Sequence, residues 1–389
     1  MVNVRYAIRD LAVVAEEVSR QGHKLLYLNI GDPNKFDFVT PPHMVEAAHR
    51  AMLDNRNGYG DSLGLPEAVK AIRDQAERNG FQNIQGIYVG YGSGEVIDSS
   101  LTALLNPGDN VLTPSPEYPL YSAVLAKLNA EPNAYALDEE NDWQPDLEDM
   151  ERRINSRTRA ILIINPNNPT GAVYSRQTLE RVADMARRHG LLILADEIYD
   201  KLVLDDDVQH TSIATIAPDL PVLTFNGISK AYLAPGWRIG WAVATGPQAA
   251  LHDYLEAVYR LLRARLSAPH PFMYAIKPAL EGPQDHLPEV RTKLRRRRDL
   301  TVEWAKRTPH VSLVAPRAAF YAFPQFDIPE PDLDFVTALV REKHVLLVHG
   351  SGFGQKPGTK HARIVYLPQE DVLKAAYERI TEFVQERYK

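Results

Sequence analysis

Apolar positions along the chain follow two regimes. From about Leu65 to Ala244, short apolar runs alternate with amphipathic stretches of helical period, the pattern of a mainly parallel sheet with crossover helices on its faces. The runs Asn110–Leu112, Ala160–Ile164, Leu191–Ala195 and Pro221–Phe225 predict strands. Between the second and third, Arg176–His189 places Leu179, Val182, Ala183 and Ala186 on one face and stops at Gly190, which predicts a helix. Near the start, Ile8, Leu11, Ala12, Ala15 and Val18 share helical spacing as far as Gly22, and LLYLNIGDP reads as a strand running into a loop. Beyond Gly282 the regime changes to a long charged helix, PEVRTKLRRRRDLTVEWAKR, then short strands (VSLVA, FYAFP, HVLLVH, ARIVYL) and an amphipathic helix from Gln369.

This change predicts a large α/β domain over residues 46–284 and a smaller α+β domain over residues 285–389, onto which residues 1–45 fold back. The length of 389 residues agrees, since one core seldom serves so long a chain. No internal repeat or low-complexity stretch interrupts the pattern. The run Arg295–Arg298 is expected to be a solvated helix face, because four consecutive residues wrap all round a helix.

Composition narrows the function. Hydrophobic residues at 44% and charged residues at 24% are the balance of an ordinary globular protein. A net charge of −6 argues against nucleic acid as a partner and leaves small molecules as the expectation. The absence of cysteine removes disulfides, thiolate nucleophiles and Cys-type zinc sites. In MVNVRYAIRDLAVVAEEV the apolar residues are interrupted by Arg5, Arg9, Asp10, Glu16 and Glu17, so neither a secretory signal nor a membrane span is expected, and the cytoplasm is the default location.

Candidate chemistry gathers where strands end, the place at which open α/β sheets bind ligands. Ala160–Ile164 runs into NPNNPTG (Asn165–Gly171), the next strand into Asp196, Glu197, Ile198 and Tyr199, and Pro221–Phe225 into Asn226, Gly227, Ile228, Ser229 and Lys230. Three strand ends thus deliver an amide, a carboxylate, a phenol and an amine to one crevice. An acid such as Asp196 at the end of a fully buried strand needs a cationic partner, and a lysine there suits Schiff-base chemistry. A further strand–loop–helix junction, IYVGYGSGEVIDSSLTALL, carries Gly90, Gly92 and Gly94 ahead of a helix whose N–H groups can hold a phosphate. Glu95 and Ile97 stand where a dinucleotide fingerprint needs glycine, and no Walker loop exists. Neither Ser93 nor Ser351 lies in a G-x-S-x-G elbow, and with no H-E-x-x-H no metal site is expected.

Together NPNNPTG, DEIYD and FNGISKAYLAPGWRIGW resemble the pyridoxal 5′-phosphate (PLP)-dependent class I/II aminotransferases, of the PLP-dependent transferase fold type I. LNIGDPNKFDF, GYGDSLGLPEAV, SPEYPLYSA, VLLVHGSGFG and HARIVYLP fall in the family's order, and IGDPNKFDF with FNGISK is most similar to the alanine aminotransferase-like branch. The resemblance implies that Lys230 carries PLP as a Schiff base and moves the substrate's α-proton, that Asp196 pairs with the protonated ring nitrogen, and that Tyr199 and Asn168 hydrogen-bond the ring's 3-oxygen. Tyr118 would stack on the ring. Backbone groups at Ser93, Gly94 and Glu95, with Ser229 and Arg238, would hold the phosphate, joined by Tyr59 from the other subunit of a homodimer with shared active sites. Arg363 would grip the substrate carboxylate, with Asn168 and Gly31 beside it.

The implied reaction is ping-pong amino transfer between a small, alanine-like amino acid and a 2-oxo acid, 2-oxoglutarate or pyruvate. The alternatives are another reaction of the fold, such as C–S β-elimination or racemisation, or transfer from a different amino acid. A non-catalytic regulator would need a DNA-binding domain ahead of Leu28, for which the sequence is expected to leave no room. Arg317, Ala318, Pro235, Met273 and Gly94 depart from common family residues, which puts substrate choice in question and leaves the PLP chemistry untouched.

Overall fold

The computed structural model describes residues 11–388, so the start of the first predicted helix at Ile8 lies outside the described residues. Its central feature is an eight-stranded sheet. In chain order, after a short strand β1 (Leu26–Tyr27), the sheet strands are β2 (Ile84–Tyr91), β3 (Asn110–Ser115), β4 (Glu131–Asp138), β5 (Gln144–Pro145), β6 (Thr158–Ile164), β7 (Leu192–Asp196), β8 (Val222–Gly227) and β9 (Ile239–Thr245). Their spatial order is β2-β9-β8-β7-β6-β3-β4-β5. The run β4, β3, β6, β7, β8 is parallel, while β9 lies antiparallel to both of its neighbours and β5 antiparallel to β4.

The central strands read as unbroken apolar runs because both faces are covered. Along β6, Ala160, Leu162 and Ile164 enter one core and Ile161 and Ile163 the other. The predicted helix is present over Arg176–His189, capped by Ser175 at its start and by Gly190 at φ 63° at its end. Two features went unread. The direction of β9 reverses, and β4 is a strand although its first four residues are exposed or half-buried.

A third core joins the two ends of the chain. Leu11, Ala15, Val18, Leu28 and Phe38 pack with Val290, Leu294, Phe335, Leu373 and Ile380. The later strands are β10 (Val311–Ser312), β11 (Tyr321–Ala322), β12 (Gln325–Phe326), β13 (Val345–Leu346), β14 (Val348–His349) and β15 (Ala362–Val365). Strand β1 pairs in parallel with β13, and β15 lies antiparallel between β11 and β14.

The arginine run corrects the reading of a solvated face. Arg296 is exposed, but Arg297 is 1% and Arg298 7% accessible. Arg297 Nη2 donates to both oxygens of Asp37 at 2.8 Å, and its Nη1 donates to the Leu367 carbonyl. Arg298 forks onto Asp205 at 2.8 and 3.1 Å and bonds the Pro316 carbonyl. A charge run is solvated only when no carboxylate reaches it, and these carboxylates lie 260 and 93 residues away in sequence. No helix among the described residues is long and apolar enough to cross a membrane.

Removing one member of a buried ion pair strands the other charge. Asp37→Ala is therefore expected to cost about 3 kcal/mol of stability, read as a lower midpoint in urea unfolding. A midpoint within error of the parent would mean that Leu367 and Glu370, whose carboxylate lies 3.7 Å from Arg297 Nε, satisfy the guanidinium without Asp37.

Candidate active site

Strands β6, β7 and β8 end side by side, and the loops leaving them meet the two short strands β11 and β15. At this junction is a cavity of about 290 Å³ lined by Gly31, Ser93, Gly94, Tyr118, Asn168, Asp196, Tyr199, Ser229, Lys230, Arg238 and Arg363. Of the residues singled out from sequence, Glu95 and Tyr59 do not line it. Glu95 turns back to accept the Tyr91 N–H at 2.7 Å and pairs with Arg265 at 3.4 Å. Tyr59 is 80% exposed.

Asp196 is the last residue of β7 and is buried. Its Oδ2 accepts from the Tyr121 hydroxyl at 2.9 Å and its Oδ1 from the Ile198 N–H at 3.3 Å. Both partners are neutral, so burial dominates and pushes the carboxyl up to about 6, against the opposing pull of those bonds and of the Lys230 charge. Lys230 shows the converse. Its Nζ donates to the Gly31 carbonyl at 2.9 Å and lies 5.5 Å from the centre of the Phe320 ring. Burial, followed by the positive charge of Arg363, brings the amine down to about 8.

Two guanidinium groups close the cavity. Arg363, on β15, is fully buried, donating from Nη1 to Asn168 Oδ1 at 3.1 Å and from Nη2 to the Asn29 carbonyl at 3.0 Å. It rests against the rings of Tyr321 and Phe353 at 4.6 and 4.8 Å. Arg238 adopts φ 55° and donates to the Pro235 carbonyl at 2.8 Å. Gly92, whose φ of 74° favours glycine, leaves room for it, since a Cβ there would press on Arg238 Nη2. Gly92 opens the helix Gly92–Leu104, which has no side-chain cap, so Ser93 and Gly94 present first-turn N–H groups beside Arg238.

Sequence reasoning missed several contributors. Tyr121 holds Asp196, Tyr321 bonds the Tyr199 hydroxyl at 2.8 Å, and Phe353 backs Arg363. An aromatic in SPEYPLYSA or FYAFP carries no mark that separates a site residue from a core residue. Among the departures, Pro235 and Gly94 line the cavity. Arg317 instead faces Asp205 and Asp207, and Met273 is buried beside Gly60. A larger cavity, about 510 Å³, contains Glu197 and His210 but none of Lys230, Asp196 or Arg363.

The donor set suits one kind of molecule. A buried carboxylate with neutral partners calls for a cation such as a protonated ring nitrogen, the helix start with Arg238 for a phosphate, and a half-buried amine of lowered pKa for an aldehyde. PLP has all three, and the residues present fit it. Fold and cavity together thus define a PLP-dependent enzyme of fold type I. The chain belongs to the aminotransferase class I and II family, which it matches over residues 23–380, and it is a transaminase. It is 41% identical to the alanine aminotransferase of Mycobacterium tuberculosis over 95% of this chain and 88% of that one. Identity is also 41% with the glutamate-pyruvate aminotransferase AlaA of Escherichia coli, covering 98% and 96%. The solved alanine aminotransferase of Pyrococcus furiosus superposes with a TM-score of 0.96 at 41% identity, over 99% and 98% of the two chains.

Asp196 gives a signed test. Its folded pKa of about 6 lies above the ordinary 3.8, so the stability its proton contributes is lost as pH rises from about 4 to 6. Above that window the cofactor-free protein carries a penalty of roughly 3 kcal/mol, at about 1.4 kcal/mol per pH unit. Cofactor-free Asp196→Asn should therefore melt higher than the cofactor-free parent at pH 8, with the advantage gone near pH 4. A variant melting lower at pH 8 would show that the carboxylate is well accommodated without a cation.

Proposed function

We propose that this aminotransferase moves the amino group between a small amino acid of the alanine type and a 2-oxo acid, 2-oxoglutarate or pyruvate, in a ping-pong cycle. The observation that carries the reading is Arg363, a fully buried guanidinium lining the same cavity of about 290 Å³ as Lys230 and Asp196. A carboxylate entering a dry crevice needs a partner that stays charged and offers paired donors, which guanidinium does. The relatives named as alanine and glutamate-pyruvate aminotransferases support a short side chain.

PLP, when bound, supplies an aldehyde to take up the amino group and a conjugated ring to spread the electron pair released at the substrate's α-carbon. Lys230 Nζ holds the cofactor covalently. With its pKa brought down to about 8, the freed amine has a far larger neutral fraction near neutrality than an ordinary lysine and takes the proton from the α-carbon. Asp196 keeps a proton on the ring nitrogen, with Tyr121 fixing the carboxylate. Tyr199 and Asn168 would hydrogen-bond the ring's 3-oxygen, Tyr118 would pack against the ring, and Arg238, Ser229 and the helix start at Ser93 and Gly94 would hold the phosphate. Arg363 with Asn168 orients the carboxylate, and Gly31 leaves room for the substrate. The reading includes the division into residues 46–284 and residues 1–45 with 285–389, supported by the core the two chain ends share. It also includes a cytoplasmic location and a homodimer, the latter supported by the exposure of Tyr59, Val45, Met52 and Leu53.

Borohydride treatment of the yellow holoenzyme should fix the chromophore to the peptide carrying Lys230, and single additions of alanine or glutamate should bleach it while releasing one equivalent of 2-oxo acid. A label on another lysine removes the mechanism. With an S-substituted cysteine, release of thiol, pyruvate and ammonia with the chromophore retained assigns the chain to elimination instead.

Shared sites make a second prediction. Lys230→Ala and Tyr59→Ala chains, each impaired alone, should regain activity on mixing, because one site of the hybrid dimer holds both intact residues. A fully active monomer in sedimentation, or no recovery despite proven subunit exchange, refutes the shared site.

A further inference from the structure

Tyr321 belongs to neither the cofactor set nor the substrate set, yet it touches both. It is the first residue of β11 and pairs with Val365 of β15, so Arg363, two residues along that strand, lies diagonally across the same face. Its ring centroid is 4.6 Å from the Arg363 guanidinium. Its hydroxyl stands 2.8 Å from that of Tyr199, and the two rings meet edge-on at 5.7 Å. Space for the hydroxyl is left by Gly31, where a Cβ would come within 2.6 Å of it. The side chain is 3% exposed, and it lines the cavity that holds Lys230.

We infer that Tyr321 is a positioning residue that couples the cofactor-facing hydroxyl of Tyr199 to the carboxylate-binding guanidinium of Arg363. This inference rests on the roles proposed above for those two residues. A phenol has one proton to donate and lone pairs to accept. When Tyr199 spends its proton on the ring's 3-oxygen, its own oxygen accepts from Tyr321, and the second bond polarises and strengthens the first. A stronger donor at the 3-oxygen favours the form in which that oxygen is anionic, so the lysine-linked chromophore loses its proton at lower pH. The ring of Tyr321 has a separate effect: it holds the plane of Arg363 by a desolvated cation–π contact. The hydroxyl acts on the cofactor and the ring on the substrate.

Two variants separate these effects in the intact holoenzyme. Tyr321→Phe keeps the ring and loses the hydroxyl. The pH midpoint of the chromophore's absorbance should rise by roughly 0.2–0.7 unit, with KM for the amino acid unchanged. Tyr321→Leu loses both, so KM should also rise, by roughly 5- to 30-fold. In a Tyr199→Phe background the removal of the Tyr321 hydroxyl should shift the midpoint no further, since its route is gone.

A midpoint that stays put in Tyr321→Phe, while Tyr199→Phe alone moves it, overturns the coupling and leaves the reading of Tyr199 standing. An equal shift from Tyr321→Phe with or without the Tyr199 hydroxyl overturns it too, because the effect then bypasses Tyr199. If Tyr199→Phe leaves the midpoint unmoved, the proposed role of Tyr199 fails first and takes the coupling with it.

Discussion

Loss of hydration at two opposite ionisable groups in one crevice governs this site. Asp196 and Lys230 come from adjacent parallel strands whose faces are covered, and each is moved toward its neutral form by lost hydration, the acid up to about 6 and the amine down to about 8. The surroundings keep the two from simply cancelling. Asp196 is occupied by Tyr121 and a backbone N–H, and Lys230 by the Gly31 carbonyl. Nearby Arg363 and Arg238 add positive charge that lowers the amine further. The cavity is therefore electrostatically incomplete in a specific way. It offers a carboxylate at one point and cationic or N–H groups at others, a pattern matched by a ligand of mixed charge.

The two sides of that pattern arise from different cores. Asp196, Ser229 and Lys230 leave the eight-stranded sheet, whereas Arg363 and Tyr321 sit on short strands of the core that joins the chain ends. Tyr199 lies at the seam, packed with Phe320 and Tyr321 in the second core although its loop leaves the first. Chemistry at the sheet's edge and recognition on the neighbouring core are thus registered by aromatic packing, a stiffer joint than exposed ion pairs would make.

The sequence disclosed those parts of the structure whose causes are local. Strands buried on both faces advertise themselves as apolar runs, and the polar residues directly after them mark Asp196, Tyr199 and Lys230. Direction is not local: the run IGWAVAT reads alike whether β9 is parallel or antiparallel. Strand β4 was missed because its outer half carries Glu131, Pro132 and Asn133. Arg297 was misjudged because its counter-charge, Asp37, arrives only through tertiary contact. Tyr121, Tyr321 and Phe353 escaped for the same reason, since what distinguishes them from core aromatics is the partner each one meets.

The bond from Arg297 to Asp37 and Leu367 also bears on the order in which the chain can be made. Synthesis starts at the amino end, and domains tend to fold as they emerge. The apolar positions from Leu11 to Phe38 share a core with many residues from Val290 onward, so this segment leaves the ribosome before much of that core exists. Closing a loop of that length adds little equilibrium cost, because the entropy grows only with the logarithm of chain length. The consequence is kinetic: that face stays without its later partners for as long as the rest of the chain takes to be made.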